Sequence, residues 1–542
     1  MKILHSRRGR ALCAAGALAL SFFSSGAEPA RPKRREKRPI TTVKIFKTTI
    51  SRAIRQECKI TGKIGVFIRS ISAHETLFDH RGGEKRIPAS NMKLLTTAAA
   101  LAYLGPDYTY STDIYVNGPL KKGVLTGNLF IKGYGDPTLV QERVRELAYS
   151  LYLKGVRRIS GNLVADDTFF DGQKYGKKWN VRGSAKAYLA PYSALSVNFS
   201  IVNVRVDPGP RPGALARVQL IPPSDTIGLK DSLKTSSRRS RPRVLVSRRS
   251  GNGKDWIHVS GRTPARRKSR NYTVSVSDPT RFAAGTFSAL LKREGIRFNG
   301  KIRRGKTPPE ARLIVRQNSR PLSDIIRGLN KHSNNLSAEQ ILKTIGAEMF
   351  GLPGTTEKGL LAVQKYLVYM GVPLGSFDLA DGSGLSRLNR ITPRAIVALL
   401  EGVYHDFRIL PEYLSSLAVV GVDGTIRKRL RRSSAARRIR AKTGLLAGIH
   451  ALSGYAAADN GETLAFSILS NTNGCRPKRL MNRISLAMAK LDRPLPNALR
   501  NGLNPSRQKL SRPMPFPHKR DRWRRSGRAR DDVEGALGGS LR

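Results

Sequence analysis

Acidic residues are scarce in this chain, and cysteines scarcer. Its 542 residues hold 38 Asp and Glu against 98 Lys and Arg, a net charge of +60, and three cysteines. Residues 501–542 contribute only 11 basic and four acidic side chains, so the excess runs through the whole chain. Such a field draws polyanions. Charge alone leaves nucleic acid, an anionic membrane surface and an acidic wall polymer all open. After Ala27 no apolar run is long enough to cross a bilayer. No H-E-x-x-H and no G-x-x-x-x-G-K-[ST] occurs, so neither a metal site nor any cofactor is expected. Zinc-finger spacing, RNA-binding signatures and internal repeats are missing as well.

What is there begins with an address. "MKILHSRRGR" is a basic lead and "ALCAAGALALSFF" a short apolar stretch, with Ser25 and Ala27 as small residues at a cleavage position. That reads as a secretory signal. It places the mature chain in the periplasm or cell envelope, where an anionic surface is within reach and nucleic acid is disfavoured. Cys13 leaves with the signal. Cys58 and Cys475 remain, free to pair in an oxidising compartment or to stand as two unrelated thiols.

Along the chain the texture changes twice. "KIGVFIRSISAHETLFDH" reads as two strands around a turn, followed by an Ala-rich helix after Ser90. From about Tyr108 the pattern is mostly β, with helices near Val144–Lys154 and over "RFAAGTFSALLKREGI". The Arg/Ser-rich stretch from Ser236 to Arg249 reads as loop. After Leu322 three helical segments follow, then two strands, "GIHALSGYAAAD" and "ETLAFSILSN", and a last helix to about Leu491. Beyond Pro494 the Pro/Arg/Gly-rich composition predicts disorder. One α/β domain split by a β-rich insertion accounts for this order.

Three short stretches carry chemistry. Ser90 and Lys93 are three apart, one face of a helix. At a helix start the serine lies at the positive dipole end, and a desolvated lysine beneath it loses proton affinity and can act as its base. On spacing alone a helix cap with a solvated lysine fits better, since the same pattern recurs at Ser506–Lys509 in the tail. Ser333-Asn334-Asn335 opens a predicted helix, where Ser333 could relay protons and Asn335 hold a peptide carbonyl. Lys442-Thr443-Gly444 enters a predicted strand, where Lys442 and Thr443 could hold an anion and Gly444 keeps the edge open to a ligand backbone.

In this order the trio is that of penicillin-binding proteins and class A β-lactamases. The chain from about Thr42 to Leu491 resembles the class C low-molecular-mass penicillin-binding proteins, D-alanyl-D-alanine carboxypeptidase/endopeptidases akin to penicillin-binding protein 4. "GYGDPTL", "ADDTFF", "YSALSVNFS", "DGSGLSRLNRITP" and "VVGVDGTIRKRL" add to the likeness. The resemblance implies an α/β (α+β) serine transpeptidase/β-lactamase-like fold carrying an inserted pair of mostly β domains. The implied boundaries are 1–27 signal, 28–41 basic linker, 42–107 with 320–493 catalytic, 108–197 with 255–319 inserted, 198–254 nested, and 494–542 disordered tail. It further implies Ser90 as nucleophile, Lys93 as base, and catalytic Ser333, Asn335 and Lys442. Thr443, Gly444 and Leu445 would bind the substrate backbone, and Asp166, Phe170 and Arg387 the side chain of its third residue. Peptidoglycan stem peptides would be the substrate, and β-lactams would acylate the same serine.

One departure stands out: the family's hydroxyl residue after Lys-Thr-Gly is here Leu445. Its N–H can still join that of Ser90 in an oxyanion hole, but no hydroxyl meets the substrate's terminal carboxylate. Weaker carboxypeptidase action or a bias toward internal crosslinks is expected, and a non-catalytic wall-binding protein on the same fold is the alternative. In the family the first and last strands of the sheet are neighbours, which implies a Cys58–Cys475 disulfide.

Overall fold

The computed structural model describes residues 39–181 and 183–495; the signal, nearly all of the basic linker and the tail from Pro496 on lie outside them. Its central sheet has six antiparallel strands, β1 (Ile64–Ser70), β2 (Glu75–His80), β3 (Ala418–Val419), β4 (Ile439–Leu446), β5 (Ile449–Ala457) and β6 (Thr463–Ser470), in the spatial order β2-β1-β6-β5-β4-β3. Strands from the two ends of the chain thus meet at β1–β6, and everything between is a long excursion.

Alternation along these strands buries both faces. Val66, Ile68, Leu452, Phe466 and Ile468 face one layer with Phe46, Ile50, Ile484 and Met488, which come from helices α1 (Val43–Glu57) and α6 (Pro477–Ala489). Phe67, Ala451, Tyr455, Ala465 and Leu469 face a second layer built from α2 (Met92–Leu104), α3 (Leu322–His332), α4 (Asn335–Phe350) and α5 (Pro393–His405). Apolar all round, as a core helix should be, α2 has every residue but Tyr103 buried. It ends at Gly105, whose φ of 82° only glycine takes without cost. α1 is missing from the sequence reading, although Phe46, Ile50 and Ala53 recur at helical spacing and Lys44, Lys47, Arg52 and Arg55 take the exposed face. Cys58, just after α1, and Cys475, just before α6, are joined as a disulfide.

In two places the β-rich insertion differs from expectation. The stretch read as loop, Ser236 to Arg249, takes in most of the strand Arg243–Gly251 and begins on the last residue of the strand Lys234–Ser236. Beneath the Arg/Ser composition, Val244 and Val246 alternate with exposed Arg243, Leu245, Ser247 and Arg249, a half-buried strand pattern. The nested unit also runs past 254. Lys254–Pro264 pairs with Arg243–Gly251 along its length, and Arg270–Ser275 pairs with Ile201–Asp207. A boundary at 254 would cut between paired strands.

Candidate active site

Ser90 stands in a short 3-10 turn, Ala89–Asn91, that leads into α2. Ala89 carries a φ of 47°, a left-handed conformation that an alanine holds only when its surroundings impose it. Two anchors are visible. Asn91 Nδ2 donates to Ser453 Oγ at 2.6 Å, tying the turn to β5. A Cβ on Gly384 would lie 1.9 Å from Ala89 O, so the Asp381–Ser386 loop packs directly on the turn.

Lys93, one turn below, is fully buried. Its Nζ lies 3.0 Å from Ser90 Oγ, 2.7 Å from Asn335 Oδ1 and 2.5 Å from Ser383 O. A neutral amine has two N–H donors and one lone pair. Asn335 Oδ1 and Ser383 O are acceptors only, so they take the two N–H bonds, and the lone pair is left for the Ser90 hydroxyl proton. Burial brings the Lys93 pKa down to about 7, against the opposing pull of Asp381 and Glu339. The arrangement can therefore take a proton from Ser90 near neutral pH.

The second motif is the corner between α3 and α4 rather than the start of one helix. Ser333 sits there with a φ of 60° and ends α3. Asn334 takes the ordinary capping job, accepting the Ser337 N–H. That frees Asn335, the first residue of α4, to reach Lys93 with Oδ1 and Tyr188 O with Nδ2, the latter at 2.9 Å.

Lys442, Thr443 and Gly444 lie within β4, a strand of its own that turns back into β5, not at the head of the strand beginning near Ile449. Buried Lys442 donates to Ser333 Oγ at 2.8 Å and to Thr443 O at 2.9 Å. Burial, with Lys93 adding to it, holds its pKa well below the usual lysine value. Thr443 Oγ1 and Thr425 Oγ1 share a hydrogen bond of 2.8 Å. Gly444 is required for space: a Cβ there would lie 2.7 Å from Pro88 O and 3.1 Å from the Ala89 Cβ. β4 therefore passes against the Ser90 turn. β3 pairs with β4 only at Arg440 and Ala441, so from Lys442 onward no described strand covers the outer edge, which suits an added substrate strand. Leu445 is 65% exposed.

Arg387 is exposed at the same end, its Nη2 donating to Ala447 O in the β4–β5 turn at 2.6 Å. Asp166 and Phe170 are placed otherwise than expected. Asp166 has no exposed surface; its carboxylate accepts from the Thr168 N–H and hydroxyl and the Thr307 N–H. Burial disfavours its charge, but these bonds prevail and hold its pKa below the usual range. Phe170 packs on Phe169 and beside Lys343, about 12 Å along α4 from Asn335 by helical rise. Phe170 packs the insertion against α4, Asp166 ties together segments within the insertion, and neither bonds any residue of the Ser90 group.

Sequence reasoning missed a buried acidic pair beneath the site. Glu339 accepts the N–H groups of Ser383 at 2.8 Å and Gly382 at 3.2 Å. Asp381 accepts those of Gly384 and Ser386, the Asn389 amide and the Trp179 indole N–H. Together they fix the loop whose Ser383 carbonyl holds Lys93. Burial, then the Asp381 charge, raises the Glu339 pKa to about 8. "DGSGLSRLNRITP" had marked the loop, but Glu339 is an unremarkable helical residue in the sequence. Away from the site, His74, Glu401 and His405 bring potential ligand atoms within 4.8 Å of one another, but Arg69 already pairs with Glu401 and the imidazoles are stacked.

A split α/β fold with a Ser–Lys pair whose lysine is buried, a Ser-x-Asn corner and a Lys-Thr-Gly strand edge defines a serine acyl-transfer hydrolase of the β-lactamase-like class. Comparison with known proteins sharpens this. Residues 47–491 match the D-Ala-D-Ala carboxypeptidase 3 (S13) family. A D-alanyl-D-alanine carboxypeptidase of Actinomadura sp. (strain R39) is 34% identical, over 81% of this chain and 83% of its own. The D-alanyl-D-alanine carboxypeptidase DacB of Haemophilus influenzae is 27% identical, over 74% and 84%. The crystal structure of penicillin binding protein 4 from Haemophilus influenzae superposes with a TM-score of 0.69 at 24% identity, over 84% of this chain and 99% of that one. The chain belongs to the D-Ala-D-Ala carboxypeptidase 3 (S13) family, and it is a serine peptidase.

Proposed function

We propose that this protein is an exported D-Ala-D-Ala carboxypeptidase and endopeptidase that opens peptidoglycan stem peptides through an acyl-enzyme on Ser90. The observation that carries the reading is the Lys93 amine, held by Asn335 Oδ1 and Ser383 O with Ser90 Oγ at 3.0 Å. Ser90 Oγ attacks the carbonyl carbon of the penultimate D-alanine while Lys93 takes its proton. The N–H groups of Ser90 and Leu445 face the oxyanion, the substrate backbone lies along the open edge of β4, and Lys442 with Thr443 meets the terminal carboxylate. The Ser333–Lys442 pair hands a proton to the departing amine and is replenished by the proton that Lys93 took, which leaves Lys93 neutral again. Water then hydrolyses the ester, with Lys93 again as base. Penicillin acylates Ser90 and blocks that last step. The signal over residues 1–27 delivers the enzyme to the periplasm or envelope. Arg387, exposed beside the β4–β5 turn, offers a guanidinium fork to a carboxylate on the third stem residue.

Mass spectrometry of monomeric and crosslinked stem peptides before and after incubation tests this. Loss of one D-alanine from pentapeptides, cleavage of the dimer, and fluorescent-penicillin labelling that vanishes in Ser90→Ala are expected. Labelling that persists in Ser90→Ala would overturn the assignment.

A further inference from the structure

Far along the chain from Ser90, the nested β unit presents a sheet face with an unusual make-up. Along Lys254–Pro264, buried Asp255, Ile257 and Val259 alternate with partly exposed Trp256, His258 and Ser260. Residues directly opposite on paired strands share a face. Trp256 lies opposite Gly228 and Arg249, and His258 opposite Lys230 and Ser247. A Cβ on Gly228 would lie 2.4 Å from the Trp256 ring, so the indole lies flat across the neighbouring strand, as a ledge and not as a spike. Lys230 Nζ and Lys254 Nζ stand over the ring, 5.2 and 5.3 Å from its centre, in cation–π contact with it. A cavity of about 340 Å³ lined by Lys230, Ser247, Arg249, His258 and Ser260 opens on the same face. Asp231 is the one carboxylate on its rim, and its Oδ1 is taken by the Leu233 N–H. Nearby, Arg205 pairs with Asp207 and Lys292 with Asp225. Among the described residues no carboxylate pairs with Lys230, Arg249 or Lys254.

We propose that this face is a second, non-catalytic binding site for an acidic glycan strand, namely that of the peptidoglycan whose stem peptides Ser90 opens. The proposal rests on the wall-substrate reading above. An indole face is the negative side of its quadrupole, and the C–H face of a sugar ring packs against it. Carboxylates hung along the strand meet Lys230, Arg249 and Lys254, which have no counter-charge of their own. A flat ring backed by a glycine does not insert into lipid, which wants a projecting apolar side chain. Holding the polymer here would raise the local concentration of stems at the active site without touching the chemistry.

The test uses the full chain as Ser90→Ala and peptidoglycan sacculi stripped of attached phosphate polymers, with binding followed against salt. Trp256→Ala should weaken binding about tenfold and Trp256→Phe much less. Lys230→Glu with Arg249→Glu, both at solvent-facing positions, should weaken it further and flatten its salt dependence. In the Ser90-intact chain the same substitutions should leave hydrolysis of a small soluble D-Ala-D-Ala peptide unchanged. That readout separates failure of this site from failure of the catalytic reading, and melting temperatures guard against misfolding. Unchanged sacculus binding in the folded variants would overturn the proposal. So would an effect of charge reversal that is equal for sacculi, DNA and anionic vesicles and indifferent to Trp256.

Discussion

Asn335 Oδ1 accepts a 2.7 Å hydrogen bond from Lys93 Nζ, while its Nδ2 is committed to Tyr188 O. The amide thus has a fixed orientation, acceptor toward the base. An uncharged acceptor there steadies the amine without stabilising its protonated form as a carboxylate would. In the wild type, acylation should follow the neutral fraction of Lys93. It should rise with pH through about 7 and fall about tenfold per unit below that. Penicillin acylation rates from pH 5 to 9 read this directly. A flat profile would exclude Lys93 as the titrating base.

Asn335→Asp puts a carboxylate against the same amine and turns the Nδ2 bond to Tyr188 O into an oxygen–oxygen contact. An adjacent negative charge raises a lysine pKa, so the rising limb should move up by at least about one pH unit. At pH 7 the acylation rate should drop by at least about fivefold and recover at high pH. Loss without recovery would mean that Asn335 serves only to position the substrate.

Gly444→Ala tests the closeness of β4 to the Ser90 turn. The added methyl would meet Pro88 O at 2.7 Å, a contact with backbone that cannot rotate away. Either β4 moves out or the turn does, and both separate the donors proposed for the oxyanion. Removing such alignment costs about a hundredfold in kcat. Acylation by penicillin and peptide hydrolysis should fall together while the protein stays folded.

The motif residues were legible because each motif is local: three or four neighbours in sequence state their own geometry. What sequence could not show was long-range. Glu339 matters through Gly382 and Ser383, more than forty residues away, and only the fold brings its carboxylate under that loop. Asp166 and Phe170 looked functional inside "ADDTFF", yet the carboxylate closes on Thr168 and Thr307 and the ring packs inward. The strand Arg243–Gly251 was hidden because composition was weighed above alternation, and Val244 and Val246 carry the alternation.

The disulfide between Cys58 and Cys475 spans 417 residues and fastens α1 to α6 on the face of the sheet opposite α2. Replacing both cysteines with serine releases that closure from the unfolded chain, a loss of up to about 6 kcal/mol in the chain-entropy account. The melting temperature should fall, with kcat and KM at 25 °C unchanged, because neither cysteine touches the Ser90 group. A kinetic effect at full folding would show that α1 and α6 reach the site through the sheet.

Leu445 follows the Lys-Thr-Gly motif, at the position where the resemblance implies a hydroxyl residue, and is 65% exposed on the part of β4 that runs beyond its pairing with β3. Its N–H is unaffected by the side chain, so acylation chemistry should persist. What leucine cannot do is donate to the terminal carboxylate of a pentapeptide, and a hydrogen bond to a charged group contributes about 1.5–3 kcal/mol. Leu445→Thr should therefore raise kcat/KM on a stem pentapeptide about tenfold and leave penicillin acylation within about twofold, since threonine suits a strand and adds no bulk. Paired assays on the pentapeptide and on a crosslinked dimer decide it: a gain confined to the pentapeptide places the missing hydroxyl in carboxylate recognition. No gain on either substrate would mean that Lys442 and Thr443 hold the carboxylate unaided, and that the leucine is neutral to specificity.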